Sequence, residues 1–150
     1  MMVEIRKSVP LTLARRRLIN RTVRVARQYV PRLRRGVAII LVGERAMQAL
    51  NRRSRGLNRP TDVLTYAWAE ERRVKSAALG EIYLCPAIIR RQARAFGVKA
   101  DAEFIRSLAH GLLHAAGYDH QGVREAARMF KVQELIVNQV RLHNLSIVVN

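Results

Sequence analysis

A single cysteine, Cys85, is all that the 150 residues contain. A lone thiol closes no internal disulfide, so nothing in the chain asks for an oxidising compartment. Cys85 ends the apolar run Ile82-Tyr83-Leu84-Cys85 and reads as a small core residue, not as a nucleophile or a ligand. Long hydrophobic runs are missing too. No stretch approaches the roughly 20 residues of a membrane helix. Met1–Pro10 has no apolar segment of the kind that marks a secretory leader. The expected setting is the cytoplasm or an organelle matrix, with no membrane partner. Internal repeats, low-complexity tracts and Ser/Gly linkers are also lacking, so one domain over residues 1–150 is expected. With 49% hydrophobic residues there is enough apolar material for a true core.

Negative charge is scarce. Eleven Asp and Glu stand against 28 Lys and Arg, a formal +17 at pH 7. A balance this far from zero makes the folded chain repel itself, and a polyanionic partner is the usual reason to keep it. Nearly all of the positive charge is Arg, whose planar fork matches phosphate oxygens where Lys offers a point charge. An Arg-rich proteome from a GC-rich genome is the competing explanation. Nucleic acid is favoured.

Val3–Val9 alternates as a short strand, ended by Pro10. Leu11–Val30 then reads as a helix, with Leu11, Leu18, Thr22, Val25 and Tyr29 on one side and Arg16, Arg17, Arg21, Arg24 and Arg27 on the other. That Arg face is either a phosphate-binding stripe or a solvated helix surface. Val37–Val42 is a continuous β-branched run, as in a buried strand. Glu44–Arg53 is a short helix with Met47 and Leu50 inward, and Arg55–Pro60 a basic loop. Thr61–Trp68 alternates as a strand, with Val63, Thr65 and Ala67 on one face and Asp62, Leu64 and Tyr66 on the other. Glu70–Ala78 is a charged, mobile connection. Gly80–Cys85 is the next strand, and Pro86 opens a helix that runs to Phe96 and is capped by Gly97. Ala102–Ala116 is a helix stopped by Gly117. Gln121–Leu142 is the last, with Val123, Ala127, Phe130 and Val137 inward. The Leu145–Asn150 tail is short and apolar. About four strands and five helices, with a hairpin across residues 69–79, point to a mixed sheet in an α+β or α/β domain.

Histidine is rare as well: there are four in the chain. Three of them lie in His110-Gly111-Leu112-Leu113-His114-Ala115-Ala116-Gly117-Tyr118-Asp119-His120. His110 and His114 are four apart on a helix, so both rings leave the same face about one turn apart. Gly117 permits a sharp turn that returns His120 as a third ligand. Three neutral imidazoles leave one position of a tetrahedral zinc ion open, the catalytic and not the structural arrangement. Zinc brings the pKa of a bound water towards ~7. The fourth histidine, His143, reads as a polar residue near a helix end. The spacing resembles the long zinc signature of the metzincin proteases, His-Glu-x-x-His-x-x-Gly-x-x-His. The residue after the first His is Gly111 here, so the peptidase base is absent. The metal geometry is supported and peptide hydrolysis is not. A phosphodiester fits the charge better.

Taken together, the motifs resemble those of the YbeY family of endoribonucleases, which act in ribosomal RNA maturation. Leu50-Asn51-Arg52-Arg53-Ser54-Arg55-Gly56 and Pro60-Thr61-Asp62-Val63-Leu64 look like its Leu-Asn-x-x-x-Arg-Gly and Pro-Thr-Asp-Val-Leu elements. Leu79-Gly80-Glu81-Ile82 is similar to its Gly-Asp-Ile strand, and Met129-Phe130-Lys131-Val132-Gln133-Glu134 to its Met-Phe-x-x-Gln-Glu. The resemblance implies a small zincin-like α+β fold, one zinc ion on His110, His114 and His120, and a basic channel for single-stranded RNA. It also implies the small ribosomal subunit, one of its proteins and an assembly GTPase as partners. It carries Arg55 over as the key residue that is not a ligand. A guanidinium there would hold a phosphate bidentately and offset the charge of a pentacoordinate transition state. Asp62 either orients a ligand imidazole from behind or caps a turn or pairs with an Arg, and Asp119 carries the same alternatives.

The chain departs from the family pattern in four places. Arg106 stands where many members have a further His. Thr65-Tyr66-Ala67 replaces Ser-Phe-Pro, Glu81 replaces Asp, and Gln121-Gly122-Val123-Arg124 replaces an acidic stretch. These changes leave the ligands in place and make the neighbourhood more basic. The functional expectation is a zinc-dependent, single-strand-specific endoribonuclease of ribosomal RNA 3′-end maturation, slow because Gly111 supplies no base. The alternatives are an RNA-binding assembly factor with a structural metal, and a metallohydrolase of another substrate.

Overall fold

The helix that carries His110 and His114 is apolar on nearly every side, and the fold is assembled around it. The computed structural model describes residues 3–68 and 78–148, with side chains over 5–68 and 78–142. The elements run β1 (Val3–Lys7), α1 (Leu13–Tyr29), a 3₁₀ turn (Pro31–Arg35), β2 (Val37–Leu41), α2 (Glu44–Arg55), β3 (Val63–Ala67), β4 (Gly80–Leu84), α3 (Pro86–Phe96), α4 (Ala100–Ala115) and α5 (Val123–Val148). The strands form one sheet in the order β1-β2-β4-β3. β1, β2 and β4 are parallel, and β3 returns antiparallel to β4 with Thr65 opposite Ile82. The mixed α+β architecture is therefore the one the sequence implies.

Alternation along the strands divides the core in two. Ile39, Leu41, Ile82 and Leu84 face α1, α4 and α5, where Ile19, Val23, Leu108, Leu112, Ile136 and Val140 close over them. Ala38, Ile40 and Leu64 face the other way, against Met47 and Leu50 of α2, with Cys85 fully buried beside them. Both readings, Cys85 as core and α2 facing inward through Met47 and Leu50, hold. Leu18, Thr22 and Val25 are buried on α1 as expected, and Thr12 caps its start by accepting from the Arg15 amide at 3.1 Å. On the opposite side Arg16, Arg17 and Arg24 are exposed, while Arg21 and Arg27 are half-buried. No described helix is long and apolar enough to cross a membrane.

Three expectations change. Arg55 is the last residue of α2 and not the first of a loop. Gly56, in the left-handed region at φ 70°, ends the helix one residue later and receives the Arg52 and Asn51 carbonyls on its amide. On α5 only Val137 of the four expected inward residues is buried. Val123 is 90% and Phe130 62% exposed, and Ala127 is exposed too. The inward stripe is Met129, Gln133, Ile136, Val137 and Val140. A polar residue stands in its middle, so counting apolar positions selected a face about 100° away. Finally, α5 continues to Val148 and takes in most of the expected tail. The charged connection read over Glu70–Ala78 lies, apart from Ala78, outside the described residues, as do the His143 side chain and residues 149–150.

Two glycines mark close approaches, one of strand to strand and one of a helix backbone to side chains of the sheet. At Gly80, opposite Ala67, a Cβ would stand 2.1 Å from the Tyr66 carbonyl oxygen. At Gly111 a Cβ would stand 2.7 Å from Ile82 Cγ2, 3.1 Å from Val63 Cγ2 and 3.2 Å from Thr65 Oγ1. So α4 lies directly on the β3–β4 pair, and Thr65 Oγ1 donates to the Gly111 carbonyl at 3.3 Å. Gly80→Ala must push β3 from β4. An overpacking cost of about 1–3 kcal/mol is expected, read as a lower urea midpoint at constant slope. An unchanged midpoint would show that the strands do not meet so closely.

Candidate functional site

Helix α4 is buried along almost its whole circumference, with Ala102, Phe104, Ile105, Leu108, Ala109, Leu112, Leu113 and Ala115 all inside. Its polar residues from Glu103 onward form one stripe: Glu103, Arg106, Ser107, His110 and His114, at spacings of three and four. That stripe is one wall of an open cleft of roughly 680 Å³. The β3 segment from Thr61 to Ala67 forms another wall, and Ser54 and Arg55 at the end of α2 form the lip. His120 and Gln133 complete it. The cleft draws no lining residue from α1, so the Arg face of that helix lies elsewhere on the surface.

The three histidines do come together. Their ring centroids are 4.6 Å (His110–His114), 5.0 Å (His114–His120) and 6.0 Å (His110–His120) apart. Gly117, at φ 98°, makes the turn that returns the chain, and the Tyr118 amide donates to the Leu113 carbonyl at 3.0 Å. The rings are aimed from behind. His110 Nδ1 donates to Gln133 Oε1 at 2.9 Å, and His114 Nδ1 donates to the Tyr118 carbonyl at 3.0 Å. With both protons on Nδ1, both Nε2 atoms present lone pairs, and they face each other at 3.1 Å. Two lone pairs at that distance repel unless a cation lies between them. Two nitrogens on one tetrahedral zinc ion would stand about 3.3 Å apart. The fit is thus good for His110 and His114. His120 is looser: its side chain is 60% exposed and its Nδ1 lies 3.5 Å from Asp119 Oδ1. Among the described residues no set of three His, Cys, Asp or Glu is already closed for an ion.

Gln133 is the orienting residue that reading the sequence for chemistry did not single out. It was visible only as part of the Met129–Glu134 element, and its distance of 23 residues from His110 gives no local signal. Asp62, by contrast, touches no histidine. Its Oδ2 accepts from Ser107 Oγ at 2.9 Å and its Oδ1 from Thr61 Oγ1 at 3.2 Å, so it ties β3 to α4 in the cleft wall. Asp119 accepts from the His120 amide at 2.7 Å and stays beside the same residue's ring. Arg55 is exposed at the lip.

Arg106 does not add free positive charge. Its guanidinium meets Glu134 at 2.9 and 3.3 Å and the buried Glu103 at 3.3 Å. The Glu134 hydrogen bonds hold its pKa above the ordinary arginine value, against the opposing effect of partial burial. Two carboxylates thus more than offset one cation, and the expectation of a more basic neighbourhood is corrected at this position. The same contacts bridge α4 to α5 next to Gln133. Gly111 also acquires a structural meaning. The position that carries the peptidase base is pressed against Ile82, Val63 and Thr65, with no room for any side chain.

Burial, followed by the nearby His110 and His120, keeps the His114 pKa below the ordinary imidazole range, although its bond to Tyr118 pulls the other way. The ring is therefore neutral at neutral pH, as a ligand must be. Between the lowered value and ~6.5 the unfolded chain binds more protons than the folded one, so stability contributed here falls as pH drops through that window. Metal-free protein should lose more thermal stability between pH 7.5 and 5 than its His114→Gln variant does. Equal losses would remove His114 as the titrating group.

Known proteins are similar to this chain in sequence and in fold. Residues 4–141 match the family model described as Endoribonuclease YbeY. A protein of Thermotoga maritima named Endoribonuclease YbeY is 41% identical over 105 residues, covering 69% of this chain and 67% of its own length. One of the same name from Cutibacterium acnes is 39% identical over 107 residues, covering 67% and 69%. A Thermotoga maritima protein whose structure was determined in solution superposes with a TM-score of 0.65 at 31% identity, over 97% of this chain and 93% of that one. With a family model spanning most of its length and relatives at this level of identity, the chain belongs to the endoribonuclease YbeY family.

Proposed function

We propose that the chain is a metal-dependent endoribonuclease that cuts single-stranded RNA, with zinc held by His110, His114 and His120. The observation that carries this reading is the pair of Nε2 lone pairs 3.1 Å apart on the wall of the cleft. Each ring is held by a hydrogen bond on its other nitrogen. Such a pair is costly without a cation, and the names of the relatives point to RNA as the substrate.

When bound, zinc supplies Lewis acidity and an acidified water. The chain's own residues do the rest. His110 and His114 are presented as neutral donors, and Gln133 and Tyr118 fix which nitrogen each offers. Arg55 at the lip grips a phosphate oxygen pair with its fork and offsets the charge that builds at phosphorus. Arg106 is committed to Glu103 and Glu134 and leaves this task to Arg55. The attacking group is a water or the 2′-hydroxyl of the RNA itself. Gly111 offers no proton acceptor beside His110, so turnover is slow. The formal +17 draws the strand in and makes binding fall steeply with salt.

The finer placement follows the family resemblance. The substrate is ribosomal RNA near its 3′ end, and the partners are the small ribosomal subunit and an assembly GTPase. The setting is the cytoplasm.

Cleavage of single-stranded RNA by the purified protein should be lost with the double variant His114→Ala/Arg55→Glu and on treatment with a chelator. Arg55→Lys alone should retain RNA binding but lose about 10–100-fold in rate, because a point charge does not replace the fork. Undiminished cleavage by the double variant would overturn the assignment. Tight, salt-sensitive binding without any cleavage would favour an assembly factor with a structural metal.

A further inference from the structure

Beside the cleft lies a second hollow of roughly 390 Å³, on the sheet face that α2 partly covers. Its walls are Tyr66, Trp68 and Tyr83 of the sheet side, Leu50 and Arg53 of α2, and Glu81. Aromatic residues make up only 5% of the chain, yet three of them meet here. Tyr66 and Tyr83 stand edge to face with centroids 5.6 Å apart, which fixes both rings. The Glu81 carboxylate is already engaged: Tyr83 donates to it at 3.1 Å and Arg6 at 3.2 Å. Its charge is thereby offset, and the wall it forms does not repel a polyanion as a bare carboxylate would. Ser54 and Tyr66 line both hollows, so the two are immediate neighbours. Each carries an arginine from the last turn of α2: Arg55 at the cleft and Arg53 at the second hollow.

A phosphate-gripping cleft adjoining an aromatic recess with its own cation matches the repeating chemistry of a single strand, in which charged phosphates alternate with flat bases. A peptide would supply no regular anion for Arg53. A duplex would keep its bases stacked inside and offer none to the recess.

We propose that the hollow between α2 and the β3–β4 edge is a base-stacking subsite that takes one unpaired nucleobase of the RNA strand whose phosphate lies in the cleft, with Trp68 and Tyr66 as the stacking surface and Arg53 on the adjoining phosphate. The proposal rests on reading the cleft as an RNA site. It gives a physical basis for single-strand preference, because only an unpaired base can turn out of the strand and enter. It also gives Tyr66, one of the departures from the family pattern, a role in substrate binding.

Trp68 is the only tryptophan in the chain, so its fluorescence reports on this hollow alone. The experiment titrates the full-length protein with a short single-stranded oligoribonucleotide. Tryptophan emission is followed together with the anisotropy of a label on the RNA. Both signals should saturate together, with emission quenched. An oligomer of equal length made of abasic nucleotides should still bind through its phosphates but leave the emission unchanged. Trp68→Ala should weaken RNA binding about tenfold, and Trp68→Phe should recover most of it, which separates stacking from misfolding. RNA that binds without altering Trp68 emission, or binds Trp68→Ala as it binds the parent chain, overturns the subsite and leaves the cleft reading standing. Failure of any single-stranded RNA to bind overturns the cleft reading and the subsite together. Quenching by an unstructured peptide but not by RNA overturns the subsite in favour of a protein ligand.

Discussion

The contact on which the site depends is the seating of α4 on the β3–β4 pair at Gly111. Helices and sheets normally keep a layer of side chains between them. Here the helix adds no side chain to that layer at one point, and a Cβ would lie 2.7 Å from Ile82 Cγ2. The helix can come this close only because Gly111 has no side chain. The consequences run both ways along α4. His110, one residue before, is set beside the β3 strand and so at the wall of the cleft. The remaining polar residues follow at helical spacing, while every other direction from the helix is core. The packing that creates the cleft therefore also removes the peptidase base. This is a steric exclusion and not a neutral replacement.

The electrostatics are more ordered than the bulk charge suggests. A formal +17 describes the chain as a whole, but on the wall beside the histidines carboxylates outnumber cations, with Glu103, Glu134 and Asp62 around Arg106. Arg106 is shared between Glu103 and Glu134, and Asp62 is held by two hydroxyls. Buried or half-buried charges need partners of this kind because desolvation costs more than an isolated ion can recover. The uncommitted cations stand further out, at the lip and along the outer face of α1. The positive charge that would attract a polyanion therefore lies away from the histidines, and the wall beside them is not part of it.

What could be read from the sequence was local. The His110–His114 spacing, the Gly117 turn and the return of His120 all lie within eleven residues, and helix geometry alone predicts them. The strand faces around Leu64 and Thr65 followed from alternation. The features that escaped depend on pairings distant in sequence. Gln133 reaches His110 from another helix, and its presence in the buried stripe of α5 hid that stripe behind the more apolar Phe130. Asp62 had two plausible partners on chemical grounds, and the fold gave it a third, Ser107, 45 residues away. Arg106 reads as added basicity until Glu134, 28 residues on, is placed beside it. Arg55 reads as a loop residue when the helix is expected to end at Arg53, two residues early; that boundary is set by the turn at Gly56 rather than by composition.

The unequal footing of the three imidazoles has a consequence for how the protein meets its metal supply. His110 and His114 are fixed by the packing of α4 and by bonds that need no ion, whereas His120 sits on an exposed segment, where Asp119 accepts from its amide and its ring stands edge to face with the other two. Removing the ion therefore releases one ring and leaves the core as it was. Zinc fingers unfold without their metal because the metal substitutes for a core. This chain has its own core, so occupancy is decoupled from folding. For the proposed zinc enzyme, the fraction of working molecules would then follow ambient zinc as a graded dial, while the folded chain itself persists through periods of scarcity.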